Sequence, residues 1–425
     1  MLAKNEQPSG HQQEILPVSL NTEPLTMAKV LVIVLNSFTH DSRVLRQTVA
    51  FSSAGYETNV FALHDGDLPL RENQPTYHLR RFKLTTKRWS KHNVIQLFKY
   101  AECAVRMTFA GARLRPNAVH ANDLNALPIG YFVAKLTRAK LVYDSHELWS
   151  DAAHRSSIKP WIFNIGIRLE KFLARRANAV MTPSPSYASR MAEAMNIPLP
   201  FVVRNVPMAR VLDQTAKRRA SLRQVLAVAR DIPILLHIGQ IARGRGLETL
   251  LVAMTEVHAP ALLVFLGNGE PRYLSALKSK ADDLGIRARV CFLPPVAPDE
   301  VCNLSADATI GVTMIESICL SYKLTLPNKI FEYLQAGLPV VVSNIPEMER
   351  IVRTYRVGET VTENNASLLA QTLNRMLSSP DILARYRENA ASAAKQLNWE
   401  KEQQVFLSVY QALSGSPSQF CMVVQ

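Results

Sequence analysis

The sequence predicts an α/β protein built from two doubly wound domains. Three observations carry this. Short, nearly all-apolar runs recur along the chain, among them KVLVIVL at 29–35, KLVYD at 140–144, IPILLHIG at 232–239 and LLVFLG at 262–267. Such runs suit strands buried on both faces of a parallel sheet, and stretches with helical apolar spacing lie between them. The rhythm stops at a polar, basic connector, 206–231, and then starts again. Finally, 425 residues are enough for two full cores.

Composition narrows the class. With 48% hydrophobic and 20% charged residues, a soluble globular chain is expected. The net charge of +14 favours anionic partners such as nucleotide phosphates, an acidic membrane surface or nucleic acid. Five cysteines, at 103, 291, 302, 319 and 421, are scattered, with no ligand spacing. A disulfide framework or a zinc site is therefore not expected, and a cytoplasmic compartment is the default. No apolar run approaches the ~18 residues of a membrane span, and the polar 1–26 stretch lacks a signal-peptide core. Residues 1–27 and 414–425 read as tails. Cys421 lies too far from the end for prenylation.

The first strand, 29–35, runs into the polar loop NSFTHDSR, a helix containing Val44, Leu45, Val49 and Phe51, and a second strand at 58–63. This is a βαβ unit, whose first loop lies where open α/β sheets bind ligands. Asp41 and Arg43 are candidates for ligand contact there; capping the helix is the alternative. The loop lacks the glycines of a dinucleotide fingerprint, against an NAD enzyme. Residues 78–92, HLRRFKLTTKRWSKH, carry six Lys/Arg and no acid, with Phe82, Leu84 and Trp89 interleaved. An anionic membrane is the expected partner of this stretch, a solvated basic face the alternative. Nucleic acid is not expected, because no recognition signature accompanies the charge.

A helix at 94–109 leads to the strand NAVH at 117–120 and the loop ANDLNALP, with Asp123. After the strand at 140–144, Asp144, His146 and Glu147 cluster at its carboxyl end. His146 reads as a contact to a substrate hydroxyl or as a general base, against the reading of a hydrogen-bonded core histidine. No G-x-S-x-G turn supports a serine hydrolase. The apolar helix at 159–177 has a basic side. It is a core helix with a basic outer face or a second membrane-surface element. Strands at 179–183 and 200–205 finish the first half. In the second half, the loop QIARGRG contains Gly239, Gly244 and Arg245 and precedes a helix, as in a phosphate cradle.

The stretch 324–349, LTLPNKIFEYLQAGLPVVVSNIPEME, organises the rest. Pro327 suits the first position of a helix that Gly337 closes, before a buried strand at 340–342. Asn328 and Lys329 sit at the helix start, where free N–H groups and the macrodipole attract anions. Glu332 lies one turn deeper, about 6 Å behind the tip. Diphosphate at the tip and ribose on the carboxylate would fit this spacing.

Together these segments resemble a GT-B glycosyltransferase, more closely the family-four group of retaining, nucleotide-sugar-dependent transferases. The resemblance is carried by 41–63, VHANDLNALP (119–128), LVYDSHELW (141–149), HIGQIARGRGLETLL (237–251), VFLGNGEP (264–271), FLPPVAPDEV (292–301) and LPNKIFEYLQAGLPVVVSNIPEM (326–348). It implies two Rossmann-like domains facing across a cleft: 28–206 for the acceptor, 207–395 for the donor, and a helix at 396–413 returning to the first domain. By position, Glu332 matches the ribose-binding carboxylate. Arg245 stands at the usual phosphate-binding lysine, Lys329 at a further diphosphate contact, and His146 at the histidine near the donor sugar. Gly267 and Gly269 match the turn against the nucleotide, and Leu293, within 292–296, matches backbone that contacts the base. Two positions depart. Leu324 occupies the place of a second acid, whose role falls to Glu316, Tyr322 or backbone of 316–328; Gln240 replaces an arginine.

The implied activity is transfer of a sugar from a nucleoside diphosphate sugar to an acceptor hydroxyl on a glycan or lipid-linked intermediate. Retention of configuration and no metal or other cofactor are implied, with the protein peripheral on the inner membrane face. A degenerate, non-catalytic subunit of a glycan-assembly complex and a nucleotide-sugar epimerase are the alternatives.

Overall fold

The apolar runs pair into two sheets, each covered by helices on both faces. The computed structural model describes residues 28–39, 41–88, 93–151, 160–209 and 221–414. The first sheet comprises β1 (Lys29–Ile33), β2 (Glu57–Leu63), β3 (Arg71–Gln74), β4 (Tyr77–Phe82), β5 (Ala118–Asn122), β6 (Lys140–Asp144), β7 (Ala179–Thr182) and β8 (Phe201–Val202). Their spatial order is β3-β4-β2-β1-β5-β6-β7-β8. All neighbours are parallel except β3 and β4, which pair antiparallel. Helices α1 (Ser42–Ser53), α2 (Asn93–Leu114), α3 (Asp123–Thr137), α4 (Pro160–Ala174) and α5 (Pro185–Met195) make the connections. Chain order reverses at β1, so α1 lies on one face while α2 to α5 pack on the other, around Leu31, Val119 and Tyr143.

The second half comprises α6 (Leu222–Leu226), β9 (Ile234–Ile238), α7 (Leu247–Glu256), β10 (Leu262–Leu266), α8 (Pro271–Asp283), β11 (Val290–Leu293), α9 (Pro298–Ser305) and β12 (Ile310–Thr313). It continues with α10 (Leu320–Lys323), α11 (Asn328–Gln335), β13 (Val340–Ser343), α12 (Pro346–Tyr355), β14 (Gly358–Val361), α13 (Ala366–Leu377) and α14 (Pro380–Ala394). The six strands are parallel in the order β11-β10-β9-β12-β13-β14. Each sheet has a switch point, beside β1 and beside β9, where ligand crevices form in open α/β sheets.

The last helix, α15 (Trp399–Leu413), returns to the first domain and packs on α1. Phe51 of α1 meets Phe406 and Tyr410 with ring centroids 4.9 and 4.7 Å apart. The Trp399 amide donates to the Pro207 carbonyl at 2.9 Å. Further contacts among the described residues join the halves. The Ser186 amide donates to the buried Glu347 carboxylate (2.7 Å), the Tyr187 hydroxyl to the Ser321 carbonyl (2.8 Å), and the Arg204 amide to Glu402 (2.8 Å).

Several expectations change. Leu45 and Val49 face outward, and α1 instead buries Arg43, Gln47 and Thr48 beside Val44 and Phe51. The 78–92 stretch is not one surface element. Its first part is β4, hydrogen-bonded to β2 and to the unanticipated β3. Arg81 and Phe82 are buried there, with Arg81 donating to the Ser37 and Pro69 carbonyls and paired with Glu72. Trp89 and Lys91 lie outside the described residues, as do both tails and 210–220. ANDLNALP is not a loop: α3 begins at Asp123 and carries Pro128 inside it. Pro327 caps α11 rather than opening it. The strand at 200–205 shrinks to two residues, and α12, β14 and α13 were not anticipated.

Candidate active site

The carboxyl edges of the two sheets face each other across a cleft of about 740 Å³. The loops after β1, β6 and β8 form one wall, and the loop after β9 with 321–332 forms the other.

On the second wall, Glu332 lies four residues after Asn328, the first residue of α11, so one face of the helix carries both. Lys329, Asn328, Glu332 and Arg245 all line the cleft. Lys329 is 9% exposed, and its Nζ donates to His237 Nε2 at 3.2 Å. Burial and then the nearby Arg245 guanidinium push its ammonium down to about 7, against the pull of Glu332. His237 is fully buried and stays neutral, held well below the ordinary histidine range by burial and by Lys329. The Arg245 guanidinium lies 4.7 Å from the Tyr322 ring centroid, and its Nε is buried without a hydrogen-bond partner. Glu332 is raised by burial, opposed by Lys329 and by Arg46 from the other domain. Arg46 stacks 5.8 Å from Trp399 and pairs with Asn205. Burial and Arg43 lower its guanidinium to about 10.

The glycines shape this wall. Gly239 lines the cleft with a φ of +98°, beside Gln240. A Cβ on Gly267 would lie 1.9 Å from the Gly239 carbonyl oxygen, so the two loops approach at backbone distance. Gly244 sits under Ile318 and Tyr322, and Gly269 against Ile241. Leu293, at the end of β11, accepts from the Gly267 amide at 3.0 Å. These four residues lie outside the cleft lining. Glu316 also lies outside it; burial and Glu248 raise its carboxyl. Tyr322, Ser321 and Thr325 line the cleft where the second acid was expected, while Leu324 packs toward the first domain's core. Arg243 stacks on Tyr273 at 5.4 Å and does not line the cleft.

The first wall rests on a buried network. Asp144 is fully buried, so it stands inside the wall rather than on it. Arg43 grips it through Nε and Nη2 at 3.0 and 2.7 Å, and Gln47 donates at 2.6 Å. The Arg43 guanidinium, with His146 and a hydrogen bond from His120, overcomes burial and holds Asp144 well below the usual carboxylate range. Arg43 also donates to the Val203 carbonyl at 2.7 Å. His120, neutral through burial, links Gln47 to the Tyr410 hydroxyl of α15 at 3.2 and 2.6 Å. Asp41 both caps α1, accepting from the Val44 amide, and lines the cleft.

His146 lines the cleft with Glu147. Its Nδ1 lies 3.3 Å from Asp123 and its Nε2 3.4 Å from Asp144. Burial disfavours its charge, but the two carboxylates prevail and raise it to about 9. Lying between two carboxylates that favour its charged form, the His146 ring is better placed to donate a proton than to accept one. Arg46, Asn205, Ser321, Thr325 and Tyr187 were not singled out from the sequence; each owes its place to a partner far along the chain.

Two parallel-sheet domains opposed at their strand ends, with the amino end of α11 in the cleft between them and a terminal helix crossing back, define the GT-B architecture. The chain belongs to the corresponding transferase family. Residues 40–205 match the glycosyl transferase 4-like domain, and residues 218–393 match glycosyl transferases group 1. Sucrose-phosphate synthase from Thermosynechococcus elongatus is similar in fold, with TM-score 0.76 and 18% identity over 92% of this chain and all of that one. HepE of Anabaena, in complex with UDP and glucose, has TM-score 0.68 and 19% identity over 91% of this chain and all of that one. A D-inositol 3-phosphate glycosyltransferase of Xylanimonas cellulosilytica is 26% identical over 48% of each chain. The chain spans about half the length of such curated relatives.

Proposed function

We propose that the protein transfers a sugar from a nucleoside diphosphate sugar to an acceptor hydroxyl with retained anomeric configuration. The observation that carries this is the meeting of Arg245, Lys329 and the amino end of α11 at one place in the cleft, with Glu332 one turn behind them. A diphosphate would satisfy the unpartnered Arg245 Nε, restore charge to Lys329 and meet the free N–H groups of α11. Glu332 would accept from the ribose hydroxyls.

In the reaction, the bond from the anomeric carbon to the leaving phosphate oxygen breaks. A bond to the acceptor oxygen forms on the same face, and the acceptor proton passes to the departing phosphate. Charge builds on that phosphate, and Arg245 and Lys329 stabilise it; one such preorganised donor is worth ~3 kcal/mol. With these cations we propose that no metal is required. The His146 imidazolium would face the sugar as a cationic donor. The opposing wall, with Asp41 and Glu147, would take the acceptor, a glycan or a lipid-linked intermediate. Incubation with nucleotide sugars and membrane extract tests the reading. Nucleoside diphosphate release that needs both donor and extract, with product retaining the donor's anomeric form by NMR, supports it; release without an acceptor product, or inversion, contradicts it. Leu324 and Gln240 favour one rival, a non-catalytic subunit, which would bind nucleotide without turnover.

A further inference from the structure

Two helices of the first domain are apolar on the side that faces away from the core. On α4, Phe163, Leu173 and Ala174 point inward, yet Trp161 (63% exposed), Ile165, Leu169 and Phe172 form a second stripe facing outward. On α2, Cys103 and Met107 are buried, while Leu97, Phe98 (58% exposed), Val105 and Phe109 (60% exposed) lie together on the outer surface. The helix between them, α3, adds Phe132 and Leu136. A monomer rarely leaves so much contiguous apolar surface in water.

The exposed charge that these three helices and the end of α4 carry is mostly basic. Arg106 and Arg113 flank the α2 stripe, and Arg168, Arg175 and Arg176 lie along the outer side of α4. The Arg176 guanidinium sits 3.5 Å from the Phe172 ring, as an amphipathic side chain does when its stem covers apolar surface and its head reaches outward. The acids of these helices are engaged elsewhere. Glu170, the one acid of α4, is buried and accepts from the Tyr143 hydroxyl at 2.7 Å. Glu102, the one acid of α2, accepts from Thr85, Thr86 and Arg106. Asp123, the one acid of α3, stands at its first residue beside His146.

We propose that the outer faces of α2 and α4 dock the protein on an anionic lipid bilayer. A second copy of the chain would bring arginines against arginines with no free carboxylate opposite, whereas lipid phosphates complement both the apolar stripe and its rim. No helix among the described residues is long and apolar enough to cross a membrane, so contact is interfacial. In a parallel sheet each crossover helix starts at the strands' carboxyl edge. Phe98 and Trp161, near the starts of α2 and α4, therefore lie toward the cleft mouth, and the bilayer would meet the protein beside the acceptor wall. Arg80 of the 78–92 stretch borders the same face, beside Val105, Phe109 and Arg113, while Arg81 is buried. This surface does not depend on the transfer chemistry.

The test is sedimentation of the full chain with vesicles of phosphatidylcholine alone or mixed with phosphatidylglycerol, at low and high salt. Wild type is expected to sediment with the mixed vesicles, more weakly at high salt, with a blue shift of Trp161 emission. The exposed double variant Ile165→Glu/Phe172→Glu should lose about tenfold or more in partitioning, and Arg168→Glu/Arg175→Glu should lose the dependence on phosphatidylglycerol. Nucleotide-induced thermal shifts should persist in both, which separates this surface from the donor site. Equal partitioning of wild type and Ile165→Glu/Phe172→Glu overturns the proposal. So does a dimer, seen by light scattering, that the same variant dissolves without any vesicle binding.

Discussion

The buried ammonium of Lys329 makes nucleotide affinity depend on pH. Burial and Arg245 disfavour its charge and lower its pKa to about 7. A diphosphate beside it favours the charged form, so binding takes up a proton wherever the free lysine is neutral. The sign follows. Affinity is fully developed below about 7 and weakens as pH rises above it, until the bound-state value is passed. The charged fraction is roughly 0.24 at pH 7.5 and roughly 0.01 at pH 9, so the dissociation constant should rise roughly 25-fold across that window. The ligand's own terminal phosphate ionises near ~6 and contributes little there. Isothermal titration with a nucleoside diphosphate in two phosphate-free buffers of different ionisation enthalpy, such as Bicine and Tris, reads both the affinity and the proton uptake. Lys329→Arg keeps the charge at every pH and should flatten the profile; Lys329→Ala should bind weakly and flatly. A pH-independent wild-type affinity with no proton uptake would refute this reasoning.

Further predictions concern the rest of the cleft. Glu332→Ala should weaken nucleotide binding by about tenfold to a hundredfold, the worth of a charge-assisted hydrogen bond, read by the same titration. Asp144→Ala strands the buried Arg43 guanidinium and should cost ~3–5 kcal/mol of unfolding free energy in urea titrations. The raised His146 imidazolium stabilises the fold fully below its ordinary ~6.5, and that stability is lost as pH rises through about 9. His146→Gln should therefore flatten the fall in stability over that range. Phe406→Ala opens a cavity where α15 meets Phe51 and should cost ~3–5 kcal/mol, while Tyr410→Phe, losing one hydrogen bond to His120, should cost ~1 kcal/mol by the same assay.

Legibility in the sequence followed the range of the interaction. Strands buried on both faces announce themselves locally, because runs such as VLVI at 30–33 and ILL at 234–236 must be apolar on both sides. The α11 stretch was legible for the same reason: cap, cation and carboxylate lie within one turn or two. Charges whose partners are remote were not. Asp144 looks like a site carboxylate until Arg43, 101 residues earlier, is found gripping it. Arg81 reads as a surface cation until the carbonyls of Ser37 and Pro69 enclose it. The β3 strand, RENQ, has no apolar alternation, since it pairs at a sheet edge with both faces wet. Arg46 reaches the field of Glu332 only because two domains meet, and no window of sequence carries that information.

The most direct test of the account is a thermal-shift panel of UDP, GDP, ADP and dTDP and their common sugar conjugates, run on wild type and Glu332→Ala. A ligand at a hundred times its dissociation constant adds ~2.7 kcal/mol of stability. The expected result is a shift of several degrees with one base, larger with its cognate sugar conjugate and lost in Glu332→Ala. No shift with any nucleotide, or an equal shift in the variant, would contradict the assignment of the α11 cleft as the donor site.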